Sequence, residues 1–585
     1  MKLGVTLPLA LAVCLTWPCA VHAKNPKLAP DLQSPKGAPM IDVIVQFTNT
    51  PGPKHQQRSV LHGGVLRQNF TTIHAASYSV PMAALAAMAS DPGVAYISPD
   101  RPLHTTRKTA AAVLDYHNET VNAPVAWSEG LNGSGIGVAV IDSGIINSPD
   151  FQTDHNLVVF SQNFAGDGKG SANDQYGHGT HVAGIIAGTG KNSSGQKDIY
   201  TFRGIADGVN LINLRVLDKN GAGTDSQAIA AIEMAIQLKS QYNIRVINLS
   251  LGRPVYESYT LDPLCQAVEQ AWQAGIVVVA AAGNDGRNDA AGTGGYGTIE
   301  APGNDPYVIT VGAMNTMGTP SPADDKMASY SSKGPTLFDR VAKPDIVAPG
   351  NRIISVSGGG LTLEQTDPDN AVPTSLYESN GNSNGSNAYY ILSGTSMAAP
   401  VVSGAAALLL QQSPSLTPDQ VKARLMRSAS KNLLPFTSVT DPVTGQTFYD
   451  QADIFTVGAG YLDIQAALSD NTPAILSAKS PTAAYDAPTG TFYLLANSSA
   501  VWGSNALWGS NAVWGANAFT SGGTHASNAL WGSNALWGSN ALWGSETDQT
   551  FNALWGSNAL WGSNALWGSS TEANALSLTE NGDDE

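Results

Sequence analysis

Four short motifs hold the residues whose chemistry stands out. Asp142 follows Val140-Ile141 and precedes Ser143-Gly144, and His178 sits in Gly177-His178-Gly179-Thr180-His181. Ser396 sits in Ser393-Gly394-Thr395-Ser396-Met397-Ala398-Ala399-Pro400, and Asn284 in Ala281-Ala282-Gly283-Asn284-Asp285-Gly286. A carboxylate, an imidazole, a hydroxyl and a side-chain amide are the working parts of acyl transfer at a peptide bond. They serve as orienter, general base, nucleophile and oxyanion donor.

Each residue also has an ordinary alternative. A lone Asp after a buried strand caps a helix or holds a ribose. A His pair three apart, His178 and His181, can ligate a metal, but no Glu lies between them and no third Cys or His ligand is evident. His178 stands at a helix entrance, so it is the better base, and His181 reads as a packed structural residue. Ser396 heads an apolar helix over Met397–Leu410, where Ser is a favoured cap, and Pro400 is tolerated near a first turn. The free N–H groups and positive dipole end there also favour charge on an attacked carbonyl oxygen. Gly-Asn-Asp-Gly around Asn284 is turn chemistry, but its amide and the Ser396 N–H would make a pair of oxyanion donors.

The elements that position these residues point to an α/β domain. Val- and Ile-rich runs recur at Gly137–Ile141, Val209–Leu217, Arg245–Leu251, Ile276–Ala281 and Tyr307–Gly312. Helix-period stretches lie between them, notably Ser226–Gln241 and Leu261–Ala274. Runs apolar on both faces, alternating with helices, imply a mainly parallel sheet with helices on both faces. Ligands bind such sheets beyond the carboxyl ends of the strands, where Asp142 and Asn284 fall.

Taken together, these motifs resemble the subtilisin-like serine proteases, the subtilases, over residues 24–108 and 110–470. The order acid, base, nucleophile is the subtilisin order. The resemblance implies a serine endopeptidase with Asp142, His178 and Ser396 as its triad and Asn284 as an oxyanion donor. It implies that Gly221-Ala222-Gly223 is an edge segment pairing with an extended substrate. Ser250-Leu251-Gly252 would be the opposite wall, and Ala280 to Gly283 a side of the main specificity pocket. Glycine-rich edges read little sequence, so cleavage should be broad. Glu300 falls where a small residue often lines that pocket, so it either favours a basic residue before the scissile bond or is a surface carboxylate. No cofactor is required for the chemistry. Relatives bind structural Ca2+ near the loop Gly188 to Arg203, where Asp198 is the only carboxylate, so a carbonyl-rich calcium site is one expectation.

The organisation follows. Residues 1–23 read as a signal peptide, with Lys2, the apolar stretch Leu3 to Val13 and the small residues at Val21-His22-Ala23. Residues 24–108 form a small α+β unit, with strands at Met40 to Phe47 and Gly93 to Ile97 and a short helix at Met82 to Met88. By resemblance it is a pro-segment that assists folding and blocks the cleft, its end near Asp100 to Lys108 being cut by the protease itself. The catalytic domain spans 109–470, and 471–585 is a linker and tail.

Composition bounds the rest. The net charge of −16 argues against nucleic-acid partners, and no later segment is apolar and long enough for a spanning helix. The expected location is extracellular. Of the three cysteines, Cys14 and Cys19 lie in the signal, leaving Cys265 alone. It is either a reactive thiol or, beside Leu264 and Val268 in a helix-period stretch, a buried inert side chain, and the second reading is preferred. From Ser480 onward there are 8 acidic residues and no Lys or Arg. Tryptophans there fall in triplets spaced by six: Trp502, Trp508, Trp514; Trp531, Trp537, Trp543; Trp555, Trp561, Trp567. That spacing puts them on one face of an extended strand or in stacked hexapeptide coils, unless the tail is a low-complexity segment. Such a row suits a glycan or cell-surface contact. The competing reading of the chain is an inactive fold of this class used as an adhesin through that tail.

Overall fold

The computed structural model describes residues 25–32, 40–53, 55, 57, 61–104, 114–290, 293–441, 445–472, 477–486, 491–494 and 583. The signal segment and the tryptophan repeats lie outside them.

The N-terminal unit carries strands β1 (Met40–Phe47), β2 (Val65–Phe70), β3 (Ala75–Pro81) and β4 (Val94–Pro99), with helix α1 (Leu85–Ala89) before the last. They pair antiparallel in the order β2-β3-β1-β4. Val43, Val45, Tyr78, Val80 and Ile97 fill a core of its own, whereas Ile44, Phe70 and Ile73 join the larger core of the domain that follows. A further strand, β5 (Pro102–His104), leaves this unit altogether.

The large domain is built on β6 (Gly137–Asp142), β7 (Val158–Asn163), β8 (Asn210–Arg215), β9 (Ala222–Thr224), β10 (Ile244–Leu249), β11 (Val277–Ala281), β12 (Ile309–Asn315), β13 (Lys326–Met327) and β14 (Ile346–Pro349). Its sheet runs β13-β12-β11-β10-β6-β8-β7, with β14 also against β12. Every pairing is parallel except β12 with β13. Strands β6, β11 and β12 are buried along their whole length, so both faces are covered, as their Val and Ile content predicts.

Helices α2 (His178–Ala187), α3 (Asp225–Tyr242), α4 (Pro263–Gln273), α5 (Thr395–Gln412) and α6 (Pro418–Ser428) supply the cover. Helix α3 packs with α4, and α2 with α5. Their starts are set locally. Thr224 and Gln227 form a reciprocal capping box on α3, and the Asp262 carboxylate accepts the Leu264 N–H at 2.9 Å at the head of α4.

The domain does not end at 470. Ala478 and Ala483 belong to its core, the Lys422 ammonium donates to Ser480 Oγ at 2.9 Å, and the Ala483 N–H donates to Arg340 at 2.7 Å. The change in composition at the tryptophan repeats begins after this last wrapped segment, which carries no sequence mark of its own.

Candidate active site

Asp142 is the last residue of β6 and His178 the first of α2. The Nδ1 of His178 lies 2.8 Å from Asp142 Oδ1 and 3.0 Å from Oδ2, and both side chains are fully buried. A buried carboxylate facing Nδ1 holds the proton there and leaves Nε2 as the acceptor. That Nε2 is buried and has no hydrogen-bond partner.

Glycine lets the two elements meet. A Cβ on Gly179 would stand 2.3 Å from the Gly144 carbonyl and 3.1 Å from the Asp142 Cβ, so any side chain there would push α2 off β6. Asp174, which the sequence reading did not single out, ties this corner together. Its carboxylate accepts the N–H groups of Tyr176, Gly177 and Thr180 and the hydroxyls of Ser143 and Thr180, all within 2.7–2.9 Å. An acid four residues ahead of a helix start was the available signal.

Helix α5 begins at Thr395, not Met397, so Pro400 lies inside it rather than in its first turn. A proline has no N–H to offer the residue four before it, and that residue is Ser396. The Ser396 carbonyl instead accepts the Ser250 hydroxyl at 2.7 Å. Ser250 is held in turn by the Asn248 amide at 2.9 Å, and Asn248 by the Ser403 hydroxyl at 2.8 Å. The Ser396 hydroxyl donates to the Ser250 carbonyl at 3.0 Å. The structure therefore joins Asp142 to His178 and packs α2 on α5, while the Ser396 Oγ points to Ser250 rather than to His178.

Asn284 is locked by its oxygen. Its Oδ1 accepts the Thr395 N–H and the Thr395 hydroxyl, both at 2.9 Å. The Nδ2 is buried and without a partner, next to the first turn of α5, whose N–H groups have no intrahelical acceptor. An orphaned donor in a buried site is costly unless something completes it. Gly283, at φ +103°, donates its N–H to Thr395 Oγ1 at 3.1 Å.

His181 is not part of this group. Its Nε2 faces the Ile353 and Tyr390 carbonyls at 3.1 and 3.0 Å, and burial, reinforced by His178, pushes its pKa down to about 3. It is a neutral packed residue. Among the described residues no group of three or more His, Cys, Asp or Glu is placed to hold a metal.

The edge segment does pair with an extended chain, and that chain is the protein's own. β5 runs antiparallel to β9, with His104 opposite Ala222, Leu103 opposite Gly223 and Pro102 opposite Thr224. Leu103 is fully buried. The buried Arg101 beside it pairs with Glu257 at 2.7 Å and with Asp31 at 3.1 Å. The Tyr96 hydroxyl also reaches Glu257 at 2.8 Å, and Thr72 donates twice to Glu233 at 2.9 and 2.8 Å.

Glu300 turns inward. Gly252 and Gly283 leave it room: a Cβ on Gly252 would stand 2.4 Å from Glu300 Oε2, and one on Gly283 would stand 2.7 Å from Glu300 Cγ. Burial, with the Asp285 carboxyl adding to it and Arg253 offsetting it in part, pushes the Glu300 pKa up to about 8. Arg253 is already committed to Asp225 at 2.9 Å and Asp262 at 2.8 Å. Glu300 is therefore a partly buried carboxyl between Gly252 and Gly283 rather than a surface one.

In the Gly188–Arg203 loop the Asp198 carboxylate accepts the Gly195 N–H, so it is spent on the loop's own backbone. Asp150 is the buried carboxylate next to it: Oδ1 accepts the Asn192 N–H at 2.7 Å, and Oδ2 has no partner.

The sheet and its covering helices are those of a subtilisin-like fold. Residues 133–460 match the model of the subtilase family, and the chain belongs to that family. It is 37% identical over 373 residues to serine protease AprX of Bacillus subtilis (strain 168), covering 63% of this chain and 76% of that one. It is 34% identical over 406 residues to subtilisin E of the same strain, 69% and 83% of the two chains. The extracellular serine proteinase of Thermus sp. (strain Rt41A) is 32% identical over 418 residues, 71% and 82% of the two. The crystal structure of fervidolysin from Fervidobacterium pennivorans, a keratinolytic enzyme related to subtilisin, shares the fold with a TM-score of 0.54 at 21% identity, over 80% of this chain and 66% of that one. The chain is thus a subtilisin-like serine endopeptidase, a class whose catalysis needs no cofactor and whose substrates are peptides. No helix among the described residues is long and apolar enough to cross a membrane.

Proposed function

We propose that the chain is the self-processing precursor of a secreted endopeptidase, with Asp142, His178 and Ser396 as its triad. The observation that carries the reading is the buried imidazole of His178, held through Nδ1 by Asp142 and left free at Nε2. Catalysis then requires the Ser396 Oγ to turn off the Ser250 carbonyl toward that nitrogen, a contact that free enzymes commonly tighten only with substrate. His178 takes the hydroxyl proton as Ser396 Oγ attacks the scissile carbonyl. Asn284 Nδ2 and the Ser396 N–H receive the oxyanion. His178 then protonates the leaving amine, and water, activated by the same imidazole, releases the acyl group from Ser396.

Substrate enters as an extended strand against Gly221-Ala222-Gly223 on one side and Ser250-Leu251-Gly252 on the other. The β5–β9 pairing supports this, because the pro-segment takes that place in the precursor. Gly283 and Glu300 line the pocket for the residue before the scissile bond. A partly buried carboxyl with no ion-pair partner among the described residues favours Lys or Arg there. The cut that frees the enzyme falls at the end of the pro-segment, near Asp100 to Lys108. A structural Ca2+ beside the Gly188–Arg203 loop is supported by the orphaned oxygen of Asp150. The signal segment, export and a cell-surface or glycan contact through the tryptophan repeats rest on sequence outside the described residues.

The test is active-site labelling with a serine-directed fluorophosphonate after removal of the pro-segment. The label lands on Ser396 and disappears in Ser396→Ala and His178→Ala. A processed chain that takes no label overturns the reading in favour of a non-catalytic adhesin.

A further inference from the structure

One residue of the far C-terminal end, Asp583, is fully buried against the catalytic domain. Its carboxylate accepts the Arg287 guanidinium at 2.5 Å, the Ser329 N–H at 2.6 Å and the Ser329 hydroxyl at 2.6 Å. Its main chain is read as well: its N–H donates to Asn351 Oδ1 and its carbonyl accepts Asn351 Nδ2, both at 3.1 Å. All three receiving side chains are buried, and Arg287 is braced by Ser329 Oγ at 2.7 Å and Asp441 at 3.3 Å.

We propose that Arg287, Ser329 and Asn351 form a docking site for the chain's own acidic C-terminal end, with Asp583 as the residue recognised. A side-chain amide that takes both the N–H and the C=O of one residue recognises an extended backbone. A guanidinium and two further donors on the carboxylate recognise a short acid. Two independent features are thus matched at a single position. Charge agrees: the segment after Ser480 is acidic and has no cation, and Arg287 supplies one. Tethering makes the site easy to fill, because the occupant is held at high effective concentration.

The site also touches catalytic loops. Arg287 follows Asn284 by three residues, and Asn351 follows Gly350, whose carbonyl receives the Gly394 N–H at 2.8 Å just ahead of Ser396.

The experiment uses the full chain carrying Ser396→Ala, which prevents self-digestion. Hydrogen exchange at the Ser329 amide is compared between this parent, Asp583→Asn, Asp583→Ala and the neighbouring control Asp584→Ala. The first two variants raise exchange at least tenfold, and the control matches the parent. A fluorescent peptide of residues 578–585 then binds Asp583→Ala but not the parent, whose site is filled, and adding Asn351→Ala weakens that binding at least tenfold. Equal Ser329 exchange in Asp583→Asn and Asp584→Ala, or peptide binding that is the same in parent and variant, overturns the proposal.

Discussion

Pro400 stands four residues after Ser396, where an ordinary helix would supply the N–H that satisfies the Ser396 carbonyl. Its absence hands that carbonyl to the Ser250 hydroxyl at 2.7 Å and ties the start of α5 to the segment that follows β10. Ser250→Ala leaves a buried carbonyl without a partner, a cost of about 1–3 kcal/mol. Denaturant unfolding should show that loss, and kcat should fall with it. A variant as stable and as active as the parent would show that the contact is incidental.

Asn284→Ala removes a buried side-chain donor that has no other partner in the structure. The expected loss is about 10²–10³ in kcat, with KM little changed, because the amide acts on charge that appears only in the transition state. Steady-state kinetics on one peptide substrate separates the two parameters. A change confined to KM would mean that Asn284 binds substrate instead.

Glu300 gives two pH signatures. Its folded pKa of about 8 lies above the ordinary carboxylate value of 4.5. The stability tied to it is complete below the unfolded value and is lost as pH rises through 8, because a charge must then form in a buried place. Melting curves of Glu300→Gln and the parent should therefore coincide at acid pH and diverge in the variant's favour between about pH 4.5 and 8. The preference for a Lys over a Phe substrate should grow across the same upper range as the carboxylate forms, and Glu300→Gln should abolish it. Equal kcat/KM for the two substrates in the parent at pH 9 would remove Glu300 as a specificity residue.

Arg101→Ala breaks a buried ion pair with Glu257 and leaves a carboxylate stranded, which typically costs about 3–5 kcal/mol. In the Ser396→Ala precursor, hydrogen exchange at Leu103 should rise as β5 frays from β9. Unchanged protection would show that β5 is held by its backbone ladder alone.

Chelation tests the calcium reading. If an ion completes Asp150, EDTA should lower the melting temperature and added Ca2+ restore it, with Asp150→Asn insensitive to both. A parent indifferent to EDTA excludes the ion.

The pairing of Asp142 with His178 was legible because its signals are local. Gly179, His178 and Asp142 carry their meaning within a few residues, and the Val- and Ile-rich runs identify strands covered on both faces. What was not legible depends on partners far apart in sequence. Ser250 with Ser396, Arg101 with Glu257 and Asp583 with Arg287 each join residues over a hundred positions apart, and no periodicity links them. Pro400 was misjudged for a related reason. The helix start was read two residues late, and the role of a proline follows from the carbonyl four residues before it. The inward turn of Glu300 was undecidable as well, since it rests on two glycines, 252 and 283, arriving from different strands.

Cys265, finally, is a buried residue of α4 with its thiol 3.3 Å from Asn304 Oδ1, and burial pushes its pKa far up. The described body of the enzyme therefore has no covalent cross-link to reduce and no reactive sulfur to alkylate. Dithiothreitol or iodoacetamide in an assay should leave turnover as it was, and the described fold holds whatever the redox state around it.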